Sequence, residues 1–128
     1  TVENDDKKAM FSTKFLYENV FKVSGVPIVF DSHHFTLGPQ DSTYKEAFEM
    51  AYESWGPTKP VCHHSNGKKE FEDETIRSAA AHSNFYYTPF NDLGKDVDVV
   101  LEAKMKEQAL KKYIQDFLVW NIHSKWCV

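Results

Sequence analysis

The chain has 128 residues, which is enough for one domain with a hydrophobic core and too few for two ordinary domains. It is 41% hydrophobic and 27% charged, a globular composition that argues against disorder. Its apolar runs are far shorter than the roughly 20 residues of a membrane helix. The net charge of −4 argues mildly against a nucleic-acid binder, although carboxylates that ligate metals carry charge that bound cations neutralise. We therefore expect a single domain over residues 1–128 and no membrane association.

Two features of the chain indicate its compartment. The first ten residues, TVENDDKKAM, are polar and acidic and do not resemble a secretory signal. The two cysteines, Cys62 and Cys127, are too few for a disulfide framework. We expect an intracellular protein, of the cytoplasm/nucleoid or the nucleus, that is not secreted.

A first helix is predicted between residues 5 and 25. Asp5 or Asp6 can cap it, and Ser24-Gly25 can end it. Its apolar side chains fall on one face: Phe11, Phe15, Leu16, Val20 and Val23. We interpret this face as a packing surface.

Two further helices follow the same logic. Thr43 and Glu46 form a capping box for a second helix, which ends at Gly56-Pro57. Its aromatic face contains Tyr44, Phe48, Tyr52 and Trp55. A C-terminal helix has the apolar positions Ala109, Leu110, Tyr113, Ile114, Phe117 and Leu118. We interpret both faces as packing surfaces as well.

Short apolar runs between the helices predict strands. They are VPIVF at 26–30, PVC at 60–62 and VDVVL at 97–101. Strands that are apolar on both faces are buried on both faces, as in parallel sheets covered by helices. The alternation of strands and helices therefore predicts an α/β fold. Residues 64–96 read as mostly loop with one or two helical turns, and so long a loop in a compact domain usually has a function.

Residues of metal-ligand type follow the apolar runs at their carboxyl ends. They are Glu3; Asp31, His33 and His34; His63, His64 and Ser65; and Glu102. In parallel α/β sheets these strand ends form the active site, and mixed carboxylate and imidazole ligands suit Zn²⁺, Mn²⁺ or Fe²⁺. Each residue alone has a plainer explanation, since an acid after a strand often caps a helix and paired histidines often lie in a polar loop. The repetition at four strand ends favours a metal-dependent hydrolase or isomerase on part of a barrel.

Five segments carry a family resemblance. They are ENDDK at 3–7, VPIVFDSHH at 26–34, the triplet His63-His64-Ser65, AHSNF at 81–85 and VDVVLEAKMKEQAL at 97–110. In this order, and across essentially the whole chain, they resemble the second half of a UV-damage endonuclease. The D-x-x-H element and the EAKMKEQAL segment are the most specific. D-x-x-H alone is also similar to endonuclease IV and to the sugar isomerases that share the barrel.

The resemblance implies a (β/α)₈ TIM barrel, of which this chain covers about the last four β/α units. It implies a DNA-repair endonuclease that acts on double-stranded DNA with UV lesions and cuts the backbone immediately 5′ of the photoproduct. The cofactor would be a cluster of up to about three divalent ions, Mn²⁺ first, with Zn²⁺ or Mg²⁺ as alternatives. The competing functions are an apurinic-site nuclease, a sugar isomerase, and a non-catalytic metal- or DNA-binding remnant.

The resemblance also assigns the ligands. Glu3 and Glu102 would be bridging carboxylates with a catalytic role, after the fifth and eighth strands of the barrel. The other metal ligands would be Asp31, His34, His63 and His82. The family pattern Asp-x-x-His favours His34 over its neighbour, which leaves His33 and His64 as second choices. Strand alternation would instead put Asp31 and His33 on one face.

Other residues beside the ligands are candidates for supporting roles. Asn4, Lys7 and Lys104 could support a ligand or contact a phosphate, or simply begin helices in solvent. Val61 stands two positions before His63, where the family has a lysine. The family's remaining histidine ligands and lesion-probing residues belong to the first four strands, which this chain lacks. Because half a barrel exposes sheet edges and apolar core, we expect an N-terminal half-barrel chain or a second copy as partner.

Overall fold

The structure is a computed structural model that describes residues 1–118. Four strands form one sheet in sequence order: β1 (Val2–Glu3), β2 (Ile28–Asp31), β3 (Val61–His64) and β4 (Asp98–Leu101). The α-helices are α1 (Thr13–Leu16), α2 (Lys22–Ser24), α3 (Ser32–Leu37), α4 (Tyr44–Glu53), α5 (Lys68–Phe71) and α6 (Lys106–Tyr113). Two π-helical segments, Tyr17–Phe21 and Ile114–Leu118, continue α1 and α6.

The first three strands of the sheet are parallel. Val2 pairs with Ile28, and Phe30 pairs with Cys62. Helical segments connect β1 to β2 and β2 to β3, as parallel pairing requires. The predicted α/β fold with a parallel sheet is confirmed, and the closed barrel stays a prediction.

Contacts divide the chain into two compact units, and each is described by itself. Among the described residues, the first contains 1–64 and 90–100, and the second contains 65–89 and 101–118. The single domain expected over residues 1–128 stays a prediction.

β2 lies at the centre of the first unit's core. All four of its residues are buried, and the fully buried Phe30 packs edge-on against Phe48 of α4, with ring centroids 5.6 Å apart. Burying an apolar side chain of this size stabilises the fold by about 1.5–3 kcal/mol. The expected burial on both faces holds for β2. It is wrong for β4, where Asp98 and Val100 are exposed because the strand alternates.

The first helical stretch begins later than the sequence predicts. Ser12 is the N-cap of α1, since its Oγ accepts a hydrogen bond from the Phe15 amide at 3.0 Å. The cap predicted at Asp5 or Asp6 is wrong, because the Asp5 carboxylate accepts from the Asp6 amide instead. The end is where the sequence puts it, with Gly25 in the left-handed region at φ 75°.

The apolar face predicted for this helix is interrupted. Leu16 is buried, but Phe11 and Phe15 are each 43% exposed and Val23 is 80% exposed. A π-helical turn takes in an extra residue, so the 3.6-residue periodicity does not continue through Tyr17–Phe21. Phe11 lies before the helix begins, and Val23 lies beyond the π-helical turn, so the packing interpretation is wrong for these two residues, as it is for the exposed Phe15.

Helix α4 begins with a variant of the predicted capping box, in which Glu46 binds the Thr43 hydroxyl rather than the Thr43 amide. The Thr43 Oγ1 accepts from the Glu46 amide at 3.2 Å, and the Thr43 hydroxyl donates to Glu46 Oε1 at 2.9 Å. Phe48 faces the core with 1% of its surface exposed. The helix ends before Gly56, whose φ of 57° is left-handed.

A smaller core holds the second unit. Tyr86, Ala109 and Tyr113 are buried, and the two tyrosine rings meet edge to face with centroids 5.2 Å apart. Leu110, Ile114 and Leu118 are 43%, 39% and 39% exposed, so the packing interpretation of the C-terminal helix is wrong for them. The buried positions of α6 are spaced four residues apart, which leaves a narrower face than the sequence suggests.

After the strand residue His64, residues 65–96 contain one short helix, α5, and one isolated bridge, and the rest is loop and turn, as predicted. Within residues 1–118 we find no helical segment with the length and hydropathy needed to cross a bilayer. Burial raises the pKa of the free Cys62 thiol to about 12. Cys127 lies outside the described residues.

Candidate metal centre

Three side chains from neighbouring strands meet at the carboxyl end of the parallel sheet. Glu3 ends β1, Asp31 ends β2, and His63 of β3 is the register partner of Asp31. One ligand atom from each residue lies within 4.8 Å of the other two. This donor set of carboxylate oxygens and imidazole nitrogen fits Mn²⁺, Fe²⁺ or Zn²⁺.

The two carboxylate oxygens of Asp31 face different neighbours. Oδ1 accepts hydrogen bonds from the His33 and His34 amides, both at 2.9 Å, and so caps α3. Oδ2 lies 3.7 Å from His34 Nδ1 and 4.0 Å from His63 Nδ1. The residue is 1% exposed, so both oxygens are held in place. The cap and the ligand explanations of this aspartate are therefore compatible.

His34, on the first turn of α3, lies beside this group of three without being part of it. Because the helix begins at Ser32, strand alternation stops at Asp31, and i,i+3 spacing brings Asp31 and His34 to one side. His34 Nδ1 lies 3.4 Å from Glu3 Oε1 and 2.9 Å from the Asn4 carbonyl oxygen. A carbonyl only accepts, so Nδ1, the nitrogen that faces Glu3 and Asp31, donates here.

Asn4 fastens the end of β1 to the end of β2. Its Nδ2 donates to the Asp31 carbonyl at 3.0 Å, and its Oδ1 accepts from the Asp31 amide at 2.8 Å. The residue is 2% exposed, and these two bonds continue the strand ladder by one step. Asn4 therefore supports Asp31 and is not available to a phosphate, whereas Lys7 is exposed.

The pKa of Glu3 is raised above its usual value. Burial is the largest cause and a hydrogen bond with Asp31 is the second, while the nearby His63 acts in the opposite direction. Two close carboxylates resist simultaneous ionisation, and a bound cation would favour the charged form of both. The electrostatics of the group are thus compatible with a bound cation.

The two second-choice histidines have other surroundings. Successive residues of β3 face opposite sides, so His64 is 4% exposed while His63 is only half-buried. His64 Nδ1 lies 2.7 Å from Ser32 Oγ, and its ring packs against Phe90 with centroids 5.7 Å apart. His33 is 5% exposed within α3. Ser32 was not among the predicted site residues, although it binds His64. The only indication in the sequence is that Ser32 stands between Asp31 and the histidine pair in DSHH.

Val61 shares a face of β3 with His63, because the two are separated by one residue. Its side chain offers no ligand atom. The nearby Lys59 pairs with Asp96 at 3.3 Å and Asp98 at 3.0 Å. This lysine is therefore held by β4 and the residues before it.

The second unit contains the two other predicted ligands. His82 Nε2 lies 3.9 Å from Glu102 Oε2, and both side chains are about one-third exposed, at 29% and 36%. His82 forms an isolated antiparallel bridge with Gly67. Lys104 is exposed, and its amide donates to the Ser83 carbonyl at 3.0 Å. The structure thus groups the predicted ligands by unit: Glu3, Asp31, His34 and His63 in the first, and His82 and Glu102 in the second.

Residues 1–125 match the family model described as UV-endonuclease UvdE. A protein of Bacillus pumilus named UV DNA damage endonuclease is 33% identical over 124 residues, which cover 91% of this chain and 37% of the relative. A protein of the same name from Nostoc sp. is 31% identical over 116 residues, which cover 86% of this chain and 33% of the relative. The chain therefore spans little more than a third of the length of these relatives.

A solved structure, "Crystal Structure of SacUVDE", superposes on the chain with a TM-score of 0.70. It is 23% identical, and the match covers 94% of this chain and 40% of the other. At that identity the likeness shows the fold alone. The family model and the two named relatives confirm the resemblance seen in the motifs, and the chain belongs to the UV-endonuclease UvdE family.

Proposed function

We propose that this chain is the ligand-bearing part of a metal-dependent DNA-repair endonuclease. Its substrate is double-stranded DNA with UV photoproducts, and it cuts the phosphodiester backbone immediately 5′ of the lesion, inside the cell. The observation that supports this most is the meeting of Glu3, Asp31 and His63 at the end of the sheet. The names of the relatives support the substrate class.

Six side chains are the proposed metal ligands: Glu3, Asp31, His34, His63, His82 and Glu102. Their oxygen and nitrogen atoms suit Mn²⁺ and also Zn²⁺, while Mg²⁺ prefers oxygen alone. We propose Mn²⁺ as the main ion, in a cluster of up to about three. That the donors of both units serve one cluster stays a prediction of the family resemblance.

The proposed chemistry is hydrolysis of a phosphodiester. Bound cations would orient the scissile phosphate, activate a water and neutralise charge on the leaving 3′ oxygen. Glu3 and Glu102 are the proposed bridging carboxylates, each with two oxygens to offer. Asp31 presents its Oδ2 in a fixed direction because Oδ1 is bound to two amides. His34 is held beside the carboxylates because its Nδ1 donates to the Asn4 carbonyl.

Two exposed lysines are the proposed phosphate contacts. Lys7 follows the first ligand strand, and Lys104 follows Glu102 by two positions. Ammonium groups attract the DNA backbone without regard to sequence. This suits an enzyme that recognises damage rather than a base sequence.

We also propose that the chain forms about the last four β/α units of a (β/α)₈ barrel. β1 stands at one end of the strand order, and an edge strand of this kind can pair with a further strand. The chain covers 37% of the Bacillus pumilus relative, which is consistent with a larger barrel. An N-terminal half-barrel chain is the proposed partner, with a second copy as the alternative.

An incision assay tests this function. The 128-residue chain, supplied with the N-terminal half of the Bacillus pumilus relative and Mn²⁺, is incubated with end-labelled irradiated duplex. We expect a cut immediately 5′ of the photoproduct and its loss in an Asp31→Ala/His63→Ala variant. Preference for an abasic duplex would indicate an apurinic-site nuclease instead. Metal binding without cleavage of any duplex would indicate a binding remnant.

The chain without its partner should cut irradiated duplex weakly or not at all. A lesion must be located and its nucleotides drawn from the stack, at a cost of a few kcal/mol. The family resemblance assigns those contacts to the first half of the barrel. Lesion-specific cutting by the 128-residue chain alone would contradict the half-barrel proposal.

A further inference from the structure

Glu72 binds the loop that carries His82, within the second unit. Glu72 is the C-cap of α5, and its carboxylate reaches the segment that begins two residues after His82. Oε1 and Oε2 accept from the Asn84 amide at 2.8 and 2.9 Å. Oε2 also accepts from the Phe85 amide at 3.4 Å and from the Tyr87 hydroxyl at 2.6 Å. One carboxylate therefore fixes two consecutive amides and a phenol of this loop.

The backbone joins the same loop to the segment after Glu102. The Lys104 amide donates to the Ser83 carbonyl at 3.0 Å, and the next amide donates to the next carbonyl at 3.1 Å. His82 Nε2 and Glu102 Oε2 are 3.9 Å apart in this arrangement. The separation of the two proposed ligands thus depends on the conformation of the loop that Glu72 closes.

The charge and the packing of Glu72 suit this task. Burial acts to raise its pKa, but the hydrogen bonds from Tyr87, Asn84 and Phe85 lower it to below the usual range. The carboxylate is therefore ionised at neutral pH, and charge-assisted hydrogen bonds are stronger than neutral ones. The Phe71 and Tyr87 rings stack with centroids 5.2 Å apart and planes 3° apart, which holds the phenol in reach.

We propose that Glu72 is a positioning residue that sets the geometry of the His82–Glu102 ligand pair. The proposal rests on the metal-binding function proposed above. Glu72 acts through the loop, by its bonds to Asn84 and Phe85, and not by binding a metal itself. In the sequence it is one acid among several in EFEDE at 70–74, so no motif distinguishes it.

Titration of Mn²⁺ into the 128-residue chain, together with amide exchange at Asn84 and Phe85, tests the proposal. His82→Ala should abolish one Mn²⁺-binding step. Glu72→Gln should weaken that step by about tenfold, because the loss of a group that supports a ligand typically has an effect of this size. Exchange at both amides should become faster. Glu72→Ala should be worse than Glu72→Gln, which keeps one acceptor oxygen. Glu74→Gln, an exposed neighbour, is the matched control and should behave as the wild type.

Each outcome separates this proposal from the function on which it rests. Mn²⁺ binding that is unchanged in Glu72→Gln but lost in His82→Ala would overturn the role of Glu72 alone. Unchanged binding in His82→Ala would overturn the ligand assignment of the second unit, and the role of Glu72 with it. Tyr87→Phe removes a single hydrogen bond and provides the test if Glu72→Gln does not fold. Tyr87→Phe should then weaken the Mn²⁺ binding that depends on His82, by a smaller factor than is expected for Glu72→Gln. Unchanged Mn²⁺ binding in Tyr87→Phe would overturn the proposal.

Discussion

At Asp31, the oxygen Oδ1 receives the amides that begin α3, and the oxygen Oδ2 faces His34 and His63. The sequence shows an aspartate at this strand end. It does not show whether that aspartate caps the next helix or binds a metal, because both roles need a carboxylate. The choice between His34 and His33 depended on whether strand or helix geometry follows Asp31. A helix begins at Ser32, so helical spacing applies and His34 faces the carboxylates.

Asn4 gives the first prediction for a single residue. Asn4→Ala leaves the buried amide and carbonyl of Asp31 without their partners, which should lower the free energy of unfolding by about 1–3 kcal/mol. Mn²⁺ binding should weaken by about 10- to 100-fold, because a ligand loses its support. Urea unfolding and calorimetric titration measure the two effects. The control is Asn19→Ala, which removes an exposed bond to the Phe15 carbonyl, and equal losses in both variants would contradict the role of Asn4.

Glu3 gives a pH dependence. Burial and Asp31 raise its pKa above 4.5, so the protonated form favours the native state. Without metal, this contribution is present below the unfolded pKa and is lost as the pH rises through the native pKa. Since Gln imitates the protonated form, Glu3→Gln in EDTA should melt above the wild type at pH 7 and level with it at about pH 4. A variant that melts below the wild type at pH 7 would count against the strained carboxylate pair.

Among the elements, those set by local chemistry were predicted best. The capping box of α4 and the buried run of β2 are both properties of adjacent residues. The start of α1 was not predictable in this way, because Ser12 and the acids before it are all good caps. The Ser12 hydroxyl donates to Asp41 at 2.5 Å, a contact between residues 29 positions apart, and no local pattern shows it.

The cap of α1 can be tested by comparing two variants. Ser12→Ala removes the acceptor for the Phe15 amide and should cost about 1 kcal/mol of unfolding free energy, up to about 2. Asp6→Ala should change it by no more than about 0.5 kcal/mol, since surface substitutions rarely do more. Urea midpoints measure both. A larger loss of unfolding free energy in Asp6→Ala than in Ser12→Ala would indicate that Asp6 caps the helix, as the sequence predicts.

Over the whole molecule, the short motifs predicted the family, and the match of residues 1–125 confirms it. The ligand types were also found in the sequence, because strand ends are visible as apolar runs that meet polar residues. The arrangement inside residues 64–96 was not predictable. There the carboxylate of Glu72 binds backbone amides. Side-chain types in a sequence do not indicate which backbone amides a carboxylate will bind.

Removal of metal should destabilise the whole chain. A cation that binds only the native state stabilises it by about 2.7 kcal/mol at a concentration one hundred times its Kd. The acidic pair of Glu3 and Asp31 adds to the effect, since the two charges repel when no cation is bound. Thermal melts with Mn²⁺ and with EDTA measure it. A melting temperature that EDTA does not change would argue against a formed site.

The metal content of the purified chain shows whether Asp31 and His63 help to hold a metal ion. The 128-residue chain and its Asp31→Ala/His63→Ala variant are dialysed against Mn²⁺ with a weak chelator, and bound metal is then measured. Asp96→Ala, which alters a side chain that is 87% exposed, serves as the control. We expect at least one ion in the wild type and in the control, and a clear loss in the double variant. Equal metal content in the wild type and the double variant would contradict the assignment of the site.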